Sequence, residues 1–360
     1  MTALARITAE TGLQPMRMMR EFAALSFGPG KIAFHDYVRL RLFDDVFWAG
    51  ADKRSVVGRR RCAEIMAQAN HADGHGLCAN RLAAHAYLSA FGFPVSAPAA
   101  IFAQDLAAPG GALLRTRDQL REFLSDAAVY PLVGQPTHGA HGPNGFGEAD
   151  LLGVDLDAGR LLTARVGHTL SLDGFIGHVS ENFAEGYVFE PRPAPHPKWR
   201  AVSDGQALSV RLITVMTQEG ARLFRLCAVM PTRDGGEILL RLDPRNGAVV
   251  SASRGAGLDL EALDRHPLTG ARLTGLTIPG WPVMRAMALE ASRLFAPLAL
   301  IGWEMTPTPD GPLILSVDEA PDLIPHQIAD RRGVLTADFQ AFVSARRDAL
   351  AEAEQMRLEG

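Results

Sequence analysis

The sequence predicts an α+β protein with mainly antiparallel strand connections, preceded by a helical N-terminal region. Three observations lead there. Residues 1–79 carry apolar side chains at helical spacing, broken by short joints. From Leu151 onward, apolar runs alternate with Gly, Asp, Asn and Pro turns short enough for antiparallel connections. The stretch Leu300–Pro321, LIGWEMTPTPDGPLILSVDEAP, reads as a hairpin, with runs Leu298–Glu304 and Leu313–Asp318 flanking a Pro/Asp/Gly turn.

With 360 residues the chain has room for two or three lobes, and with 47% hydrophobic and 21% charged residues it can bury a core. A formal net charge of -4 supplies no bulk attraction to nucleic acid or anionic membrane. Cys62, Cys78 and Cys227 are too few and too scattered for a disulfide framework, so a reducing compartment, the cytoplasm, is expected. No apolar run approaches the roughly 20 residues of a membrane helix; Pro297 interrupts the nearest, Leu294–Trp303. Arg6, Glu10, Arg17, Arg20 and Glu21 make the N-terminus amphipathic, unlike a secretory signal.

In chain order, the Gly28-Pro29-Gly30 turn separates an opening helix from His35–Phe47, and Gly58 precedes a run through Ile65 and Met66. The basic residues Lys53, Arg54, Arg59, Arg60 and Arg61 read as a solvated helix end, since no aromatics are interleaved with them. His71, His75 and Cys78 have ligand chemistry but lack the paired four-ligand spacing of structural zinc, so a Gly-containing loop is the better reading. Asn80 caps a helix with stripe Leu82, Ala83, Ala86, Tyr87, Ala90, Phe91, which Gly92 stops; Phe93–Pro98 is extended. Thr116 with Gln119 forms a capping box, and Val129–Val133 reads as a buried strand.

The loop HGAHGPNGFG at 138–147 can offer N–H groups to phosphate or serve as a plain surface loop. Strands follow at Leu151–Asp155, Leu161–Val166, Gly186–Glu190, Leu208–Met216, Leu223–Met230, Ile238–Leu242 and Ala248–Ala252. A helix with Pro282 in its first turn and stripe Met284, Met287, Ala288, Ala291, Leu294, Phe295 packs inward, and a last helix covers 335–358. In the hairpin, Glu304 closes one strand and Asp318 and Glu319 the other. Converging carboxylates suit a hard cation such as Mg²⁺ held with nucleotide phosphates, or form an ordinary acidic rim.

Several phrases occur in a telling order: GPGKIAFHDYVRLRLFDD at 28–45, NRLAAHAYLSAFGFPV at 80–95, VYPLVGQP at 129–136, EGYVFEPRPAPHPKW at 185–199, LSVRLITV at 208–215, HPLTGARLTGLTIPGWP at 266–282, then IGWEM and GPLILSVDEAP. Together they resemble the ATP-grasp superfamily, more narrowly the sugar-transfer associated ATP-grasp proteins related to α-L-glutamate ligases. The resemblance implies ATP and Mg²⁺ as cofactors, a nucleotide cleft between two lobes, and activation of a carboxylate as an acylphosphate. It divides the chain into a helical region 1–79, an N-terminal lobe 80–185, a C-terminal lobe 186–334 and a C-terminal helix 335–360.

Position by position, the resemblance implies that Gln135 stands where the family has a phosphate-binding lysine, with Gly142 and Gly145 in the glycine-rich loop beside it. Val188, Phe189 and Glu190 match the hinge that meets the adenine, with Phe189 lining its slot; the competing reading of Glu190 is a buried strand carboxylate. Arg211 matches an arginine suited to a substrate carboxylate or the transferring phosphoryl group, or a structural salt bridge. His266, in the HPxTG phrase, is a substrate contact or a loop histidine. Glu304 and Asp318 would hold the metal, with Ser316 where the family has a carboxylate. The resemblance thus implies an ATP- and Mg²⁺-dependent carboxylate–amine or related ligase on a small or sugar-linked substrate. The substitutions at Gln135 and Ser316 motivate the alternative, a degenerate ATP-grasp module that binds nucleotide, sugar or a protein partner without ligase chemistry. Neither nucleic acid nor a membrane span is expected, and a homo-oligomer is left open.

Overall fold

A computed structural model describes residues 3–104, 112–138 and 147–359. In order these form α1 Ala3–Thr11, α2 Pro15–Ser26, α3 Phe34–Arg39, α4 Arg59–Ala69, α5 Ala72–Ala79, α6 Arg81–Ala90, β1 Ala100–Phe102, β2 Ala112–Leu114, α7 Arg117–Ser125 and β3 Leu132–Pro136. Then come β4 Ala149–Asp155, β5 Arg160–Thr163, β6 Thr169–Ser171, α8 Leu172–Asn182, β7 Tyr187–Pro191, α9 Pro197–Arg200, β8 Ser209–Thr217, β9 Gly220–Pro231, β10 Glu237–Leu242, β11 Val249–Arg254 and β12 Glu261–Leu263. The chain closes with α10 Trp281–Ala291, β13 Leu300–Thr308, β14 Gly311–Asp318, α11 Ile324–Asp330 and α12 Ala337–Glu359.

The strands make two seven-stranded sheets, ordered β2-β1-β7-β3-β4-β5-β6 and β12-β11-β10-β9-β8-β13-β14. Every neighbouring pair is antiparallel except β1 with β2. The expected α+β architecture with a helical N-terminal region is therefore present. β7 lies in the middle of the first sheet even though it follows residue 185 in the chain.

Local chemistry explains where most helices begin. The Asn80 side chain accepts from the Ala83 N–H at the start of α6, and Thr116 and Gln119 complete the capping box of α7. The sequence reading missed β6 and α8. Its signal was present, because Ser171 caps the Gly174 N–H and Leu172, Phe175, Ile176 and Val179 follow at helical spacing. Residues 72–79 are helical as α5, which corrects the expected loop: the His71 ring accepts the Asp73 N–H and so substitutes for a conventional cap. The strand expected at Val129–Val133 begins only at Leu132, since Asp126 caps a 3₁₀ turn over 127–129.

The second sheet has two different faces. On one, α10 packs Trp281, Met284 and Ala288 against Leu212, Ile301 and Trp303, each large side chain contributing about 1.5–3 kcal/mol by leaving water. The other face carries two apolar patches. Ile213, Val215 and Leu300 meet α4 and α12 through Ile65, Met66, Phe339 and Val343, while Leu239 packs against the cluster formed by Ile324 and Ile328 of α11, Leu260 before β12 and residues of the N-terminal helices such as Tyr37. The polar residues of the candidate site lie between them.

Two buried amides fasten the helical region to this face. Asn70 accepts from Ala299 N and Leu300 N, both at 2.9 Å, and donates to Leu300 O and Glu319 O, both at 2.7 Å. Gln327 of α11 exchanges two hydrogen bonds with the Val57 backbone, at 2.9 and 3.0 Å. Replacing Asn70 with Ala strands four backbone groups at the hairpin root. The expected cost is about 3 kcal/mol or more, read as a lower urea midpoint of the full chain; a loss below about 1 kcal/mol would show that the amide is dispensable.

Candidate functional site

Antiparallel register places Arg211 of β8, Glu304 of β13 and Ser316 of β14 directly across from one another, and hence on one face. The Glu304 carboxylate is the hub. Arg211 Nε lies 3.4 Å from its Oε1, the Ser316 hydroxyl 3.4 Å from its Oε2, and the Ser209 hydroxyl donates to Oε1. Burial opposes the Arg211 charge, but the Glu304 carboxylate outweighs it and holds the guanidinium above its ordinary pKa.

Asp318 stands opposite Gly302, one step along the same face. Only glycine fits there, because a Cβ on Gly302 would come 2.6 Å from Pro321 Cβ. Asp318 receives the Ala320 N–H at 2.8 Å. Burial, with help from the Glu319, Glu304 and Asp322 carboxylates, nevertheless pushes its pKa up to about 6. Crowded carboxylates, plus a serine hydroxyl, are hard oxygen donors of the kind Mg²⁺ takes together with phosphate. The residues fit such an ion as a partial shell: among the described residues no group of three or more His, Cys, Asp or Glu side chains forms a complete one. The same holds for His71, His75 and Cys78, of which His71 is engaged as a cap.

Four residues not singled out in the sequence join this face. Arg211 and Arg241 both register with Cys227, and Arg225 lies two residues along β9 on the same side. α11 packs across β9 and β10 and brings Asp330 to 3.8 Å from the Nε of both Arg225 and Arg241. It also brings His326, which is 3% exposed and whose Nδ1 has no hydrogen-bond partner. Burial, then Arg211 and Arg225, push His326 down to about 3. A helix of seven residues after a proline-rich turn carried no periodic signal strong enough to reveal them.

On the first sheet, strand alternation separates the hinge residues. Phe189 is fully buried, its ring packed among Phe123, Phe175 and Tyr187, so it does not line a slot as expected. Gly134 on β3 leaves room for these rings, since a Cβ there would meet Tyr187 Cε1 at 2.7 Å. Val188 points the other way, into a small cluster with Ile101 and Ala103. Glu190 is 3% exposed and held by Arg81 at 2.7 Å, Gln135 at 3.1 Å and His85 at 3.3 Å. The other ring nitrogen of His85 lies 3.1 Å from the Leu315 carbonyl on β14. Burial alone would raise Glu190; the His85 contact and the Arg81 charge overcome it and hold the carboxyl below its usual range. Gln135 is thus engaged with Glu190 in this structure. Gly142 and Gly145 lie outside the described residues.

His266 stands apart from Arg211. Its Nδ1 accepts the Leu268 and Thr269 N–H groups at 3.3 and 3.2 Å, closing the HPLTG turn. Its charged neighbours are Asp204, Arg254 and Asp234, and burial holds its pKa below the ordinary histidine value.

Two largely antiparallel sheets, joined through Glu190 and His85, carry an arginine–carboxylate row beside an acidic hairpin end, an arrangement consistent with the ATP-grasp resemblance. The model of the sugar-transfer associated ATP-grasp family matches residues 174–341, so over that stretch the chain is similar to that family. No curated protein matches the sequence. Among solved structures, the chain is similar to an ADP complex of N5-carboxyaminoimidazole ribonucleotide synthetase, with 14% identity, 74% of this chain and 52% of that one covered, and a TM-score of 0.39. The D-alanine–D-alanine ligase of Coxiella burnetii matches at 10% identity over 80% of this chain and 62% of that one, with a TM-score of 0.46. The biotin carboxylase of Campylobacter jejuni matches at 9% identity over 81% and 52%, with a TM-score of 0.44. The chain therefore spans about half to three fifths of the length of these structures. No helix among the described residues is long and apolar enough to cross a membrane.

Proposed function

We propose that the protein is an ATP- and Mg²⁺-dependent ligase that activates a carboxylate of a small or sugar-linked substrate as an acylphosphate and passes the acyl group to an amine or related nucleophile. The observation that carries this reading is the row Arg211–Glu304–Ser316 with Asp318 beside it, inside the stretch matched by the family model.

Each side chain then has a task. Glu304 and Asp318 hold the metal, with the Ser316 hydroxyl as a weak third donor. Bound Mg²⁺ would neutralise phosphate charge and relieve the crowded carboxylates. Arg211, held by Glu304, keeps its charge and presents it to the negative charge that develops as phosphate transfers to the carboxylate. Gln135 can donate to a phosphate oxygen only by giving up Glu190, and it brings no charge where the family has a lysine. His266, locked in its turn, acts on substrate only through its second ring nitrogen, which is buried and unpartnered.

The engagement of Gln135 and the presence of Ser316 favour one competing reading, a nucleotide-, sugar- or partner-binding module without ligase chemistry. Titration calorimetry with ATP, with and without Mg²⁺, separates the readings from the start. Binding is expected to strengthen about tenfold or more with the metal, and Glu304→Gln should abolish that gain. Absence of binding at millimolar ATP would sink the ligase proposal, whereas binding without any ADP release across candidate acids and amines would support the module.

A further inference from the structure

Arg211 and Arg241 occupy one cross-strand row, both registered with Cys227, two strands apart or about 10 Å along the sheet. Each guanidinium is steadied from one side only: Arg211 by Glu304 at 3.4 Å, Arg241 by Asp330 at 3.8 Å, both through Nε. Their terminal nitrogens form no hydrogen bond to another described residue, and both side chains are 37% exposed. Arg225 differs. It is 16% exposed and donates to the Phe224 and Gly333 carbonyls, so it is anchored to the frame and adds charge from below. The buried His326 feels the charges of both Arg211 and Arg225, its Nδ1 is unpartnered, and at neutral pH it adds no cation of its own.

Two oriented guanidinium forks with their donor ends uncommitted are an arrangement for recognising planar or tetrahedral anions. Resting on the ligase reading, we infer that the substrate whose carboxylate is activated at Arg211 carries a second acidic group, a carboxylate or phosphate, and that Arg241, oriented by Asp330, holds it. Arg241 would then be the specificity determinant of the acid substrate, selecting diacids over monoacids. A monoacid of equal length would leave the Arg241 donors facing only water.

Calorimetric titration of the full chain with hexanoate and with adipate, of equal carbon length, at constant ionic strength, tests this. Adipate should bind about tenfold more tightly than hexanoate, and Arg241→Gln should reduce that preference to about twofold or less. Inorganic phosphate in the same series reports which acidic group the Arg241 end favours: competition with adipate assigns phosphate, and its lack assigns carboxylate. Equal binding of the two acids by the wild type, or a full preference retained in Arg241→Gln, would overturn the inference. If that variant does not fold, Arg241→Lys decides, since a lysine keeps the charge and loses the fork: a preserved preference overturns the inference and a lowered one supports it. An ATP titration of the same wild-type sample keeps the two readings apart. ATP binding without diacid preference defeats only the second site, and diacid preference without ATP binding defeats only the ligase.

Discussion

Glu190→Leu is expected to destabilise the full chain by about 3–5 kcal/mol, the cost typical of removing one partner from a buried ion pair. Glu190 is 3% exposed and the Arg81 side chain 13%, so the guanidinium left behind has neither carboxylate nor much water to solvate it. Gln135 and His85 lose the same partner. Urea unfolding of the single and double variants checks the cause. Adding Arg81→Met to Glu190→Leu should recover most of the loss, because replacing a whole buried pair by apolar groups is often neutral. If the double variant is no better than the single one, the charge of Arg81 is not what the loss reflects. Glu190→Gln adds a pH test. The folded carboxyl is held below its unfolded value, so its stabilisation is present above about pH 4.5 and is lost as pH falls through the depressed folded value. The acid limb of the stability curve should accordingly be shallower in Glu190→Gln than in the wild type.

His326 is expected to make stability fall on mild acidification. Unfolded, it takes a proton near pH 6.5; folded, burial and the neighbouring Arg211 and Arg225 hold it down to about 3. The unfolded chain therefore binds more protons over that interval, and stability rises with pH. The contribution of the neutral, buried ring is fully present above about pH 6.5 and is lost as pH falls toward 3, at up to about 1.4 kcal/mol per pH unit. Denaturant midpoints of wild type and His326→Gln between pH 7 and pH 4 should converge as pH falls. Parallel curves across that range would show that the ring reaches its proton without unfolding.

Both effects come from groups whose chemistry lies in tertiary contacts. Glu190 was legible as either a hinge residue or a buried strand carboxylate, and nothing in EGYVFEP separates the two; the separation needs Arg81 and His85, about a hundred residues earlier in the chain. Phe189 shows the complementary failure. Its neighbours Val188 and Glu190 share a face, and period-two alternation alone turns the ring to the opposite one, into the α7–α8 core. His326 and Arg241 had no local signal, because a short helix and a strand arginine acquire meaning only when α11 lies across β9 and β10.

By itself the sequence determined the local structure and its punctuation: the Asn80 and Thr116 caps, the α10 stripe, the strands from β8 to β11, and the hairpin that ends in Asp318. These follow from short-range hydrogen bonding and from periodicity, which a single sequence carries in full. It also carried the ordered phrases of the ATP-grasp resemblance and marked Gln135 and Ser316 as departures from it. Only the tertiary structure decided which polar groups meet. Cross-strand register set Arg211 against Glu304 and Ser316 and put Arg241 in the same row, and the packing of α6 between the sheets engaged Gln135 through Glu190. Register and helix docking depend on pairings dozens to hundreds of residues apart, and the burial they create is what shifts Asp318, Glu190 and His326.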